Sequence, residues 1–119
     1  MMGFCSRQNV VEADGSVYPC DFYTLDAYRL GNLNTDGFPE LEEKRRALGF
    51  IQQSARLEPA CASCQWRGLC AGGCRRDRDY FEAGLGKNYY CAAYREFFEY
   101  AWPGLRELYR RLTGRAPIL

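Results

Sequence analysis

Two short β-prone runs, Asn9-Val10-Val11-Glu12-Ala13 and Ser16-Val17-Tyr18-Pro19, flank the dipeptide Asp14-Gly15. Asp-Gly between such runs predicts an amino-terminal β-hairpin closed by a tight type I′ turn. From Phe22 to Asp36 the apolar positions keep no period, and Gly31, Asn32, Asn34 and Gly37 punctuate what reads as irregular chain. A helix is expected next, with Thr35 or Asp36 as its cap, Pro39 in its first turn and Leu41 through Leu48 as its body; Ile51 and Leu57 are further apolar positions. Charged Glu42, Glu43, Lys44, Arg45 and Arg46 read as its solvent face. Between Glu58 and Arg76, residues Pro59, Gly68, Gly72 and Gly73 argue against continuous helix. Beyond Cys91, residues Tyr94, Phe97, Phe98, Ala101, Leu105, Leu108 and Leu112 recur at helical spacing. They predict a carboxy-terminal helix with a packing stripe, interrupted or kinked near Pro103. The elements together give an α+β class.

At 119 residues the chain is long enough for one small domain and too short for two ordinary ones, so a single unit is expected. Apolar residues make up 47%, but many are aromatic and the segments are short, so a thin core is expected. Sixteen basic and fifteen acidic residues leave a net charge of +1, which gives no electrostatic reason to expect nucleic acid or an anionic membrane as partner. The basic run Arg75, Arg76 and Arg78 reads as a solvated loop. No stretch approaches the ~20 apolar residues that span a bilayer. A soluble, cytoplasmic protein in a reducing compartment is expected.

Candidate chemistry lies in the cysteines. Cys5 and Cys20 frame the hairpin as C-x9-G-x4-C; then Cys61, Cys64, Cys70 and Cys74 read C-x2-C-x5-C-x3-C, and Cys91 follows. Cysteines two, three and five residues apart bring several thiolates onto one centre, and thiolate-only sites select zinc or iron–sulfur clusters. Disulfides fit poorly, since the count of seven is odd and no apolar signal segment opens the chain. The hairpin places Cys5 and Cys20 at its open end, close enough to share one inorganic centre. The Gly72-Gly73 pair lets Cys70 and Cys74 turn toward different centres. Trp66 and Leu69 read as shielding for the site, and folding is expected to be coupled to metallation. Tyr23, Tyr89 and Tyr90 read as water-excluding neighbours and stay outside the candidate site.

The full cysteine pattern, covering Cys5 to Cys91, resembles the SPASM domain that follows the barrel of many radical SAM enzymes. Three stretches, Val10 to Tyr23, Leu69-Cys70-Ala71-Gly72-Gly73-Cys74-Arg75 and Cys91-Ala92-Ala93-Tyr94-Arg95-Glu96-Phe97-Phe98, are similar to anaerobic sulfatase-maturating enzymes. The resemblance implies a SPASM-like auxiliary-cluster domain over residues 1–100 with a helical extension over 101–119. It also implies two [4Fe-4S] clusters: Cys61, Cys64, Cys70 and Cys91 ligate one completely, and Cys5, Cys20 and Cys74 give three ligands to the other. The family's further cysteine would fall just before Met1, so a carboxy-terminal piece of a longer enzyme is expected, with Met1-Met2-Gly3-Phe4-Cys5 the remainder of that segment.

In the complete enzymes, a radical made from S-adenosylmethionine removes a hydrogen from the β-carbon of a sulfatase Cys or Ser, and oxidation yields Cα-formylglycine. The resemblance implies Asp21 as the base that takes the proton, with an auxiliary cluster taking or relaying the electron. If strand character persists through residue 21, Cys20 faces the cluster and Asp21 the substrate channel; the plain alternative is a turn cap. The C-x3-C-x2-C loop that binds S-adenosylmethionine is absent. This chain is therefore expected to belong to a radical SAM oxidoreductase without being competent alone. Its implied partners are the barrel of the same protein and a sulfatase polypeptide. Two other readings compete. One is a structural zinc knuckle for protein binding, built from Cys61, Cys64, Cys70 and either Cys74 or Cys91, which leaves Cys5 and Cys20 unexplained. The other is the SPASM domain of a different peptide-modifying relative.

Overall fold

A three-stranded antiparallel sheet opens the chain, in the order β1 (Val10–Val11), β2 (Ser16–Tyr18), β3 (Gly31–Asn32). The computed structural model describes residues 3–78 and 86–117. Met1, Met2 and the last two positions of the expected extension lie outside them. The chain divides into two compact units, one of Phe4–Arg56 and one from Leu57 onward together with Gly3. With the helices that follow, the fold is α+β.

In the first unit, Val10 pairs with Tyr18 and Val11 with Val17. The expected hairpin forms with a different turn. Gly15 N donates to the Glu12 carbonyl at 2.9 Å and Glu12 N to the Ser16 carbonyl at 2.9 Å, which leaves a three-residue loop. A type I′ turn needs positive φ at both central residues; here Gly15 has φ 85° while Asp14 is not among the positive-φ residues. The cause is the Asp14 carboxylate, which accepts the Ser16 N–H and Ser16 Oγ, both at 2.9 Å, as an Asx turn. Those bonds also hold the Asp14 carboxyl below its ordinary range.

The segment expected to be irregular contributes β3, which pairs with β2 through Ser16–Asn32 and Val17–Gly31. Asn32 and Asn34 donate their side-chain amides to the Asp14 carbonyl at 2.9 and 3.0 Å, so the hairpin turn is clamped from outside. Helix α1 (Phe38–Ala47) carries Pro39 in its first turn as expected, but its cap is Gly37. Asp36 instead accepts the Asn32 N–H at 2.7 Å. Gly49, at φ 59°, separates α1 from α2 (Phe50–Ser54). Val17, Leu30 and Leu41 form the apolar centre, and Tyr23, Tyr28 and Phe50 meet edge to face. Arg45, expected on the solvent face, is buried against Glu42 and Asn9. Its planar fork reaches both partners.

Among the described residues the second unit holds three short helices, α3 (Pro59–Ala62), α4 (Arg67–Cys70) and α5 (Arg75–Arg78), then the long α6 (Cys91–Thr113). Continuous helix is absent from 58 to 76, as the glycines predict. The basic run is not a solvated loop: Arg75 and Arg78 are buried, and Arg78 donates to the Gly3 carbonyl at 3.3 Å. Helix α6 runs unbroken through Pro103, so the expected interruption does not occur. Proline removes one hydrogen bond from a helix, and this one still extends over 23 residues. Tyr94, Phe98 and Trp102, one turn apart, pack around Trp66 or one another, while Phe97, Leu105, Leu108 and Leu112 stay exposed. The packing stripe thus covers only part of the positions that the periodicity marks. Among the described residues no helix is long and apolar enough to cross a membrane.

Candidate cluster-binding site

Tight backbone turns space the cysteines of the second unit. Cys61 N donates to the Glu58 carbonyl at 2.8 Å, Cys64 N to that of Cys61 at 3.4 Å and Cys70 N to that of Trp66 at 2.8 Å. After Cys70 come three consecutive left-handed residues, Ala71, Gly72 and Gly73, with φ of 48°, 80° and 69°. A Cβ on Gly73 would run into Asn88, and one on Gly72 into Leu57, so both positions need glycine for space as well as for φ. Cys91 enters as the first residue of α6.

These turns bring four of the seven predicted cysteines together. Cys61, Cys64, Cys70 and Cys91 border one small cavity of about 30 Å³, with Trp66, Gly72, Tyr94 and Phe98 among its other walls. Cys61, Cys64 and Cys91 also border an open pocket of about 380 Å³ shared with Glu58, Lys87 and Arg95. Cys74, beyond the left-handed turn, is not among the residues lining either. All seven cysteines are free thiols, half-buried. Among the described residues no three Cys, Asp or Glu side chains gather as a site for a single metal ion. The donor chemistry of the cavity suits an iron–sulfur cluster: thiols on several sides, apolar aromatic walls, and the buried indole Nε1 of Trp66 with no acceptor among the described residues. Leaving such a donor unsatisfied costs about 1–3 kcal/mol.

Burial raises the Cys61 thiol above its ordinary value, with Glu58 and then the Cys91, Cys70 and Cys64 thiols adding to it. Burial also raises Cys70, opposed by the Gly72 N–H and reinforced by Cys91 and Cys64. A raised thiol favours the neutral form in the fold. Its contribution to metal-free stability is complete below the unfolded thiol value and is lost as pH rises through the higher folded one. Ligation runs the other way, because it removes the thiol protons. Replacing Glu58 by Gln is expected to lower the Cys61 pKa, and the alkylation rate of the metal-free chain against pH measures it; an unmoved profile removes Glu58 as a cause.

Sequence reasoning missed Asn88. It is buried, donates Nδ2–H to the Gly72 carbonyl at 3.2 Å, accepts the Tyr90 N–H at 2.8 Å through Oδ1, and accepts the Cys91 N–H at 3.0 Å through its own carbonyl. One side chain thus ties the glycine turn after Cys70 to the helix start that carries Cys91. Its sequence signal was faint, an Asn three residues before a cysteine. Asn88→Ala is expected to destabilise the chain by about 1–3 kcal/mol, since it orphans two backbone groups; urea unfolding checks it.

In the first unit, Cys5 N donates to Ser54 Oγ at 2.7 Å, so the end of α2 holds it. Cys20 is raised chiefly by burial, and the charges of Asp21 and Cys5 add to it. Cys20 is extended, but the strand has already ended at Tyr18, and Asp21 opens a 3₁₀ turn over Asp21–Tyr23. The expectation that Cys20 and Asp21 face opposite ways therefore fails: Cys20 Sγ donates to Asp21 Oδ1 at 3.2 Å. A turn beginning at Asp21 cancels the alternation of a strand.

A cysteine-type anaerobic sulfatase-maturating enzyme of Clostridium perfringens is 53% identical over 106 residues, 88% of this chain and 29% of the relative. A serine-type enzyme of Bacteroides thetaiotaomicron is 29% identical over 97% of this chain and 28% of its own length. The solved structure described as native anSMEcpe with bound AdoMet and Cp18Cys peptide superposes with a TM-score of 0.84 at 49% identity, covering 93% of this chain and 31% of that one. The chain thus spans less than a third of the relatives' length. Residues 5–65 match the SPASM model, an iron–sulfur cluster-binding domain, and this chain belongs to the SPASM family.

Proposed function

We propose that this chain is the auxiliary-cluster domain of an anaerobic sulfatase-maturating enzyme and holds two [4Fe-4S] clusters. Cys61, Cys64, Cys70 and Cys91 are the complete ligand set of one; Cys5, Cys20 and Cys74 supply three ligands to the other. The observation that carries the reading is the convergence of the first four on one cavity in a SPASM-family chain. Bound clusters supply an acceptor or relay for the electron released when a sulfatase Cys or Ser is oxidised to Cα-formylglycine. S-adenosylmethionine and its own cluster belong to the radical SAM barrel of the complete enzyme.

The chain's own residues have three tasks. Thiols give up their protons to bind, and the raised values of Cys20, Cys61 and Cys70 make loading stronger as pH rises. Trp66, Tyr94 and Phe98 exclude water from the four-cysteine cavity. Asp21 takes the substrate proton as general base. Its Oδ1 accepts the Cys20 thiol proton in the metal-free chain, and loss of that proton on ligation frees the oxygen for substrate. The test uses the complete enzyme, S-adenosylmethionine, a reductant and a sulfatase-derived peptide. Mass spectrometry is expected to find formylglycine, and a thioether cross-link or an unmodified peptide would overturn the reading.

A further inference from the structure

Trp66 is only 5% exposed, and its Nε1 has no hydrogen-bond partner among the described residues. The residue borders the cavity on which Cys61, Cys64, Cys70 and Cys91 converge. Its ring is fixed there by Phe98 and Trp102, with ring centres 5.8 and 5.9 Å away. Trp102 does not border the four-cysteine cavity; it lines separate pockets on α6. A buried N–H with no acceptor is disfavoured unless something in the cavity accepts it. Indole is a donor only, so that acceptor must carry lone pairs. Thiolate and sulfide sulfurs of a cluster have them, and a hydrogen bond to cluster sulfur stabilises the reduced, more negative state.

We propose that Trp66 sets the reduction potential of the cluster held by these four cysteines, its Nε1–H donating to a cluster sulfur. The inference rests on the ligand set proposed above. Phenylalanine at this position keeps an aromatic ring and removes the donor, so it separates the hydrogen bond from simple exclusion of water. Trp102→Phe disturbs the packing around Trp66 and leaves the donor in place.

The chain is reconstituted anaerobically with iron and sulfide in a Cys5→Ser, Cys20→Ser background, leaving the four-cysteine set intact. Trp66→Phe is expected to retain the iron of the parent and to shift the midpoint potential to a more negative value, with Trp102→Phe unchanged. Equal potentials in the parent and Trp66→Phe at equal iron content would overturn the proposal, and so would an equal shift in both variants. A second measurement does not depend on Trp66→Phe loading. The chain has two tryptophans, so indole-¹⁵N labelling followed by pulsed EPR of the reduced parent reports on these two alone. A ¹⁵N coupling to the cluster, unchanged in Trp102→Phe, is expected; no coupling in a loaded sample overturns the proposal. A parent that takes up no iron and sulfide overturns the ligand set itself, and the iron assay identifies that failure before any potential is read.

Discussion

Cys91→Ala is expected to remove one whole cluster, about four irons with their sulfide, while any cluster bound by Cys5, Cys20 and Cys74 stays. Three thiols remain on the cavity after the change, but the missing one is the only cavity cysteine carried by α6. Cys61, Cys64 and Cys70 come from the turns around α3 and α4, so in the proposed ligand set Cys91 alone would tie the long helix to the cluster. Loss of the cluster therefore also releases a structural tie, and because metal binding adds directly to folding free energy, the loaded chain should lose most of its added stability. Iron and sulfide analysis beside thermal unfolding reads both effects. Unchanged iron in Cys91→Ala would remove Cys91 from the ligand set.

Asp21→Asn in the complete enzyme is expected to lower turnover of the sulfatase peptide by about 10²–10⁴-fold, the usual contribution of a positioned general base. Asparagine is nearly isosteric and keeps a carbonyl oxygen for the Cys20 thiol at the place where Oδ1 now accepts. Iron content should hold, and substrate binding should change little. Full turnover with clusters intact would leave Asp21 as the opening residue of a 3₁₀ turn and nothing more.

Those two residues also show how far the sequence was legible. The cysteine spacing alone locates the site, because C-x2-C and C-x5-C only make sense if turns bring thiols together, and four of them do meet. The hairpin was legible from Asp14-Gly15, but its turn type was not. Asp14 spends its carboxylate on Ser16, a local hydrogen bond that the dipeptide preference does not encode. Strand β3 escaped notice because two residues, Gly31 and Asn32, offer no alternation to read, and its pairing with β2 is a tertiary matter.

The helix over Phe38–Ala47 was legible from Pro39 and Leu41, and its break at Gly49 was not, since a left-handed glycine looks in sequence like any other. Charge misled at Arg45, Arg75 and Arg78. Charged residues are rarely fully buried unless paired, and the partners that bury Arg45, Asn9 and Glu42, lie far from it or one helical turn away. Asn88 fails to announce itself for a related reason. Its side-chain bonds to the Gly72 carbonyl and the Tyr90 N–H exist only after the backbone has turned.

The central claim is that the thiols hold iron–sulfur clusters, and composition after anaerobic purification and reconstitution tests it most directly. Iron, acid-labile sulfide and zinc are measured per chain on one sample. The account predicts about four to eight irons with matching sulfide, nearer four where the three-cysteine set is empty. One or two zinc ions per chain, with no stable iron or sulfide under the same conditions, would contradict it and make the cysteines a structural zinc module.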